Sequence, residues 1–226
     1  MKHFKNFKTC VYCTAQTLAS LDETTLARDY AYLEKYVGID KVYLETYRDG
    51  TWVAIDHMKM IQNFFKEHGV EIAGGITTVT PPLEKDDAKR QRLFQTFCYS
   101  NEAMRTYLKK IVTYTAELFD EIILDDFFFT SCTCDDCLRE RSNLSWAEFR
   151  SKKMIDVAEN LVLKPAKLAN PSVKVTIKYP NWRESYHETG YVPKTQPSMF
   201  DKIYTGTETR NTAHTDQHLP RYLSYS

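Results

Sequence analysis

The chain lacks most of the marks that identify the commoner functional classes. It has no net charge, since 30 Lys and Arg balance 30 Asp and Glu over 226 residues. No overall field therefore draws it to nucleic acid or to an anionic membrane, and neither is expected as a partner. No apolar run approaches the ~20 residues a membrane-spanning helix needs. The start, MKHFKNFKTCVYC, is basic but has no apolar stretch of signal-peptide length behind it. As written the chain is expected in the cytoplasm, and outside the cell only if a longer precursor supplies a leader. No GxGxxG follows the first expected strand and no Walker-type glycine loop occurs, which removes support for nucleotide-binding open sheets. The histidines show neither HxH nor HExxH spacing, and no Ser or Cys sits in a G-x-S-x-G elbow. Catalytic-metal and nucleophile-elbow hydrolases lose ground, and no organic cofactor is expected.

What remains is a regular β/α alternation. Strands are expected near Thr9–Thr14, Lys41–Glu45, Val70–Thr77, Glu121–Asp126, Val173–Tyr179 and Lys202–Thr205. Between them, Leu26, Tyr30, Leu33 and Val37 recur at helical spacing over Thr24–Val37, and Ile55, Met58, Ile61 and Phe65 do so over Ala54–His68. A long polar connection opens at Pro81 and Pro82. The helix after it, Asn101–Phe119, turns Met104, Leu108, Ile111 and Leu118 inward. Ser145 and Glu148 form a capping box for a further helix, expected to stop before Pro165. Strands separated by single helices imply a parallel sheet, here an α/β fold of the (β/α)8 TIM-barrel type. Eight strands and about 250 residues make a complete barrel. Six strands are visible, so the barrel appears truncated. Residues 1–210 are read as its domain and 211–226 as an irregular tail. An unclosed sheet leaves two open edges, so self-association or a missing C-terminal portion completing the barrel is expected.

Six cysteines are present, and three of them, Cys132, Cys134 and Cys137, form CxCxxC directly after the fourth strand. Such a loop turns thiolates onto one cation, and tetrahedral zinc accepts four. Cys98, just before the helix leading into strand four, is the natural fourth ligand. Four thiolates leave no open position, so the zinc would be structural. Cys10 and Cys13, within the first strand, are read as ordinary buried residues.

From Cys98 through Cys132-Thr-Cys134-Asp-Asp-Cys137 to Trp146-Ala-Glu-Phe149, about fifty residues resemble family-42 glycoside hydrolases of the β-galactosidase type. The resemblance implies a zinc-pinned loop beside a barrel active site. It departs at the chemistry, because Asp125-Asp126 stands where that family has Asn-Glu, and the family's nucleophile strand lies beyond the six strands seen. Asp120-Glu-Ile-Ile-Leu-Asp125-Asp126-Phe127-Phe128 is also similar to the D-G-I-x-x-D-D-Y-F strand of glycosyl-hydrolase-like barrels, and more loosely to the strand-four D-G-x-x-x-D of amylase-like enzymes. The amylase-like alignment selects Asp125 as nucleophile, the family-42 alignment Asp126 as acid/base. Both stay candidates.

Two adjacent carboxylates after Ile122, Ile123 and Leu124 are costly to bury without a partner or a task. The plainer alternative is one Asp capping a turn and one solvated. Glycoside hydrolysis needs a second carboxyl group, for which Glu208, after strand six, is the best candidate. Glu45 is expected to bind sugar hydroxyls. Arg48 and Arg210 either hold these carboxylates ionised by charge pairing or are simply loop surface. Lys178, Tyr179, Asn181 and Trp182 end strand five, with Lys178 as a hydroxyl or carboxylate ligand and Trp182 as either a stacking platform or an ordinary packing residue. The 15 Tyr, 12 Phe and 3 Trp suit either a sugar cleft or simple core packing. The preferred reading is a glycosidase acting on a carbohydrate, with Asp125 as nucleophile or base, Glu208 as acid and Asp126 assisting. The alternative is a non-catalytic carbohydrate-binding barrel or an inactive fragment. An aldolase or isomerase stands third, since the phosphate loops those barrels use lie beyond strand six.

Overall fold

The structure, a computed structural model, describes residues 4–80, 92–180 and 186–205. Along the chain run β1 (Cys10–Cys13), α1 (Ala15–Ser20), α2 (Glu23–Tyr36), β2 (Lys41–Arg48), β3 (Thr51–Trp52), α3 (Ile55–Glu67) and β4 (Glu71–Ile76). There follow α4 (Glu102–Leu118), β5 (Glu121–Leu124), α5 (Asp135–Arg141), α6 (Trp146–Val157), α7 (Lys164–Ala169), β6 (Lys174–Tyr179), α8 (Tyr186–Thr189) and β7 (Lys202–Thr205). The sheet order is β1-β2-β4-β5-β6-β7, with every neighbouring pair on this path parallel. The six expected strands are all there. The short β3, which sequence periodicity missed, pairs antiparallel with β2.

The sheet curls into part of a barrel. Four strand spacings separate β2 from β7, about 19 Å in a flat sheet. Yet Tyr43 Oη of β2 lies 2.7 Å from Tyr204 Oη of β7. Glu121 of β5 receives Lys41 of β2 on one oxygen and Lys202 of β7 on the other, each at 2.6 Å. Only strong curvature brings these side chains to a common axis. Tyr12, Tyr43, Ala73 and Ile123 fill the concave side above that ionic layer. Gly75 admits the Tyr12 ring, because a Cβ there would lie 2.7 Å from the Tyr12 hydroxyl. On the convex side Leu44, Ile76, Leu124 and Ile177 meet Met58, Ile61, Leu108, Ile111, Val112 and Leu161 from the helices. Period-2 alternation divides the strands between the two surfaces. Among the described residues β1 and β7 each keep one open edge, and Ile203 on β7 is 43% exposed.

Two local expectations need correction. The helix after Ser145, capped as foreseen, does not stop before Pro165. It widens into a π-helical segment, Ala158–Leu163, and continues as α7 to Ala169. Proline lacks an N–H and crowds the carbonyl a turn earlier, and the wider turn absorbs both defects. Cys10 is exposed rather than buried, and Cys13 is half-buried, because among the described residues β1 is a terminal strand with β2 on one side only.

Candidate active site

Several irregular features gather at the C-terminal end of the strands. In β2 the pairing with β4 slips between Glu45 and Tyr47, a β-bulge at Thr46. Strict alternation would send Tyr47 inward and Arg48 outward. The bulge reverses them. Tyr47 is buried in the outer core, donating to Val79 O at 3.0 Å, and Arg48 turns into the barrel. Asp49 (φ 49°) and Gly50 (φ 80°) then make a two-residue turn with both φ positive, the primed type that joins β2 to β3 and fixes the end of β2.

Glu45 is 0% exposed, and its oxygens are occupied by the protein itself. They accept from Tyr12 Oη (2.8 Å), the Ala15 amide (2.7 Å), the Thr77 hydroxyl and Arg48 Nε (2.8 Å). The buried Tyr12 hydroxyl has its pKa pushed well up by burial and by the Glu45 charge, so it stays a donor. Burial works against the Arg48 charge, but the hydrogen bonds and charge of Glu45, with Asp125 beyond, raise its pKa. Tyr12 and Thr77 were not foreseen from sequence. Nothing local marks them, since they matter only through the folded position of Glu45.

Asp125 extends the β5 ladder by donating its amide to Ile76 O at 3.0 Å. Its carboxylate is held from two sides, by Arg48 Nη2 on Oδ2 at 3.2 Å and by Lys178 Nζ on Oδ1 at 3.0 Å. Lys178 also stands 3.5 Å from Asp126 Oδ2. Asp126 is 1% exposed, and its carbonyl accepts from Tyr191 Oη at 2.9 Å. The alternation of β6 sends Lys178 into the barrel and Tyr179 to the opposite face. There Tyr179 packs against Tyr186 and Tyr191 and donates to Gln196 Oε1 at 3.3 Å. The structure thus brings together Glu45, Arg48, Asp125, Asp126 and Lys178, and separates Tyr179 from them. Asn181, Trp182, Glu208, Arg210 and the 211–226 tail lie outside the described residues.

The loop after β5 carries the cysteine cluster. Sγ of Cys98 lies 3.6 Å from Cys134 and 3.6 Å from Cys137, with Cys134 and Cys137 3.8 Å apart. All four sulfurs, including Cys132, fall within 4.8 Å of one another. The edge of a ZnS4 tetrahedron with Zn–S of about 2.3 Å is about 3.8 Å, whereas a disulfide would need about 2.05 Å. The donor set therefore fits a tetrahedral dication. Hydrogen bonding among the crowded thiols, between Cys132 and Cys137 above all, lowers the pKa of Cys132 and raises that of Cys137. The same contact with Cys132 pushes Cys98 up to about 12. Phe149, Leu144 and Trp146 close the cluster from outside.

A family model described as "Probable glycosyl hydrolase, catalytic domain" matches residues 1–226. The chain belongs to that family. An uncharacterized protein of Saccharolobus solfataricus is 34% identical over 230 residues, covering 91% of this chain and 38% of its own length. A β-galactosidase of Rahnella sp. R3 superposes with a TM-score of 0.65 at 12% identity, over 92% of this chain and 40% of that one. At that identity the likeness is one of fold. It bears out the expected (β/α)-barrel type of fold with part of the ring present. The chain spans about two fifths of each of these two proteins. Within the glycosyl hydrolase domain, the paired carboxylates stand at the strand ends where barrel enzymes place their chemistry.

Proposed function

We propose that this domain hydrolyses a glycosidic bond at the carboxylate cluster, with Asp125 as nucleophile or base. The observation that carries the reading is the double hold on Asp125. A carboxylate gripped from two sides by Arg48 and Lys178 is held in one orientation, which suits attack on an anomeric carbon or activation of water. The acid, which must keep a proton until the leaving oxygen takes it, is a separate group. That role is assigned to Glu208, with Asp126 assisting. The two cations face three carboxyl groups, Glu45, Asp125 and Asp126. Acidic side chains thus outnumber basic ones by one in this cluster, which favours a transition state of oxocarbenium character.

Glu45 takes a positioning role in this reading, since its oxygens already serve Tyr12, Ala15, Thr77 and Arg48. Lys178, Asn181 and Trp182 are assigned to sugar binding. Cys98, Cys132, Cys134 and Cys137 would hold a zinc ion with no open position, whose contribution is to pin the loop following the catalytic strand.

The test is turnover on a panel of aryl glycosides by the protein and by Asp125→Asn. Loss of turnover in the variant, with saccharide binding retained and melting shifted by only a few degrees, is the expected outcome. Undiminished hydrolysis would remove Asp125 from the mechanism. Saccharide binding by the parent without any turnover would establish a carbohydrate-binding barrel instead.

A further inference from the structure

Phe94 stands in a short 3-10 turn, Leu93–Gln95, in the connection between β4 and α4. It is 52% exposed although its ring is large and apolar. Its backbone is left-handed (φ 54°, ψ 23°), and Gln95 follows with φ 56°. Two consecutive non-glycine residues in this region cost about 1–3 kcal/mol each and persist only where the surroundings impose them.

The surroundings do impose them here. The Leu93 amide donates to Ser131 Oγ at 2.7 Å, and Gln95 O accepts from the Thr80 amide at 2.9 Å and from Thr80 Oγ1 at 3.1 Å. The Phe97 amide donates to Thr78 O at 3.1 Å, Val79 bridges Thr96, and Arg92 donates to Thr96 O. Both sides of the turn are thus tied to the end of β4 and to the loop after β5.

The ring also stands in a defined place. It meets Phe127 edge-on at 5.3 Å between centroids and Phe129 at 6.5 Å. The Arg48 guanidinium lies 5.7 Å from the Phe127 centroid and 3.2 Å from Asp125. Asp125, Arg48, Phe127 and Phe94 form a continuous row from buried carboxylate to exposed ring.

We propose that Phe94 is a saccharide-stacking platform at the mouth of the cleft, binding a sugar unit beyond the bond that is cleaved. This deepens the glycosidase reading above and rests on it. The substrate class it implies is an oligosaccharide rather than a free monosaccharide derivative, with a unit that offers its C–H face to the ring. The hydrogen bonds on both sides of the turn hold the platform in place before substrate arrives, so little ordering remains to be done on binding.

Calorimetric titration with gluco-, xylo-, manno- and galacto-oligosaccharides of increasing length tests this, alongside hydrolysis of the same compounds. The variants are Phe94→Asn, which keeps a residue tolerant of left-handed φ while deleting the ring, and Phe94→Trp, which keeps a ring. A third, Tyr36→Ala, removes an exposed ring of α2 far along the chain, itself 62% exposed. Affinity should rise with chain length in the parent. Phe94→Asn should lose roughly tenfold on the longer ligands, Phe94→Trp should restore it, and Tyr36→Ala should match the parent. Equal affinity in Phe94→Asn and the parent, with hydrolysis intact, would overturn the platform alone. If no oligosaccharide is bound or cut by the parent, the glycosidase reading falls and the platform with it. Melting curves show whether Phe94→Asn is folded, and an unfolded variant passes the decision to a loss in Phe94→Leu that Phe94→Trp does not share.

Discussion

Replacing Arg48 by lysine probes the site at the residue that joins its buried and reactive carboxylates. Arg48 Nε reaches both oxygens of Glu45, at 2.8 and 3.1 Å, while Nη2 reaches Asp125 at 3.2 Å. A lysine has a single nitrogen and no fork, so it cannot serve both carboxylates at these geometries. The wholly buried Glu45 will hold the ammonium, because leaving that carboxylate without a cation is the costlier choice. Asp125 then keeps only Lys178. One charge-assisted hydrogen bond is lost, about 1.5–3 kcal/mol. A chain of this size melts about 2–4 °C lower per kcal/mol, so the expected drop is about 3–12 °C. A carboxylate with one anchor instead of two wanders from its attack position, and a misplacement of about 1 Å costs on the order of 10²-fold in rate. Calorimetric melting and separate kcat and KM values on an aryl glycoside read both effects. Arg48→Met removes the charge altogether, strands Glu45, and should cost about 3–5 kcal/mol. A lysine variant that melts and turns over like the parent, or a methionine variant more stable than the lysine one, would refute the assigned linkage.

Glu121 supplies a pH-dependent test. Burial alone would raise its pKa, but hydrogen bonds and charge from Lys202 and Lys41 bring it below its ordinary 4.5. A depressed folded pKa stabilises the fold fully above about 4.5 and loses that stabilisation as pH falls through the folded value. Glu121→Gln should therefore flatten the acid limb of the melting profile and cost about 3 kcal/mol at neutral pH, since Lys41 stays buried. Parallel profiles for parent and variant would remove Glu121 from acid unfolding. For the cysteine cluster, elemental analysis should find about one zinc per chain. Cys137→Ser should lose it and melt lower, while Cys10→Ser, on the exposed edge strand, should keep it. Equal metal in both variants would place the zinc elsewhere.

The sequence made the regular parts of this fold readable because they obey period rules. Leu26 and Leu33, or Ile55, Met58, Ile61 and Phe65, recur with the helical repeat, and the six parallel strands are short β-rich runs between such helices. The proline rule failed at Pro165, where a π-helical segment carries the helix onward at the cost of local geometry. The β2–β3 hairpin carried a signal that was available, since Asp49-Gly50 is the pairing a primed two-residue turn requires. Helix α5 carried one too, with Asp135 and Asp136 in its first turn and Arg139 and Arg141 in its last. The clustering of Cys98 with Cys132, Cys134 and Cys137 was legible from spacing, because a tight CxCxxC loop leaves few arrangements for its sulfurs. The surroundings of Glu45 were not. Tyr12, Ala15 and Thr77 come from other elements, and their convergence on one carboxylate depends on the curvature of the sheet.

The bulge at Thr46 ties the two kinds of feature together. A strand with unbroken alternation would place Arg48 on the convex side, among the helices, and leave Asp125 facing Lys178 alone. One extra residue in β2 moves a cation across the sheet and converts Glu45 from an uncompensated buried charge into the anchor of Arg48. The Asp49-Gly50 turn then keeps β2 from continuing past that point. The same end of the barrel carries the left-handed pair Phe94-Gln95, and the loop after β5 supplies both Ser131, which holds that turn, and the cysteine cluster. Departures from regular geometry are costly, and in this protein those around Asp125 share one feature: each fixes a polar or aromatic side chain that a regular strand or helix would have turned elsewhere. The local rules of the barrel define where a site can be. The exceptions to them, clustered at the ends of β2, β4 and β5, determine which side chains occupy it.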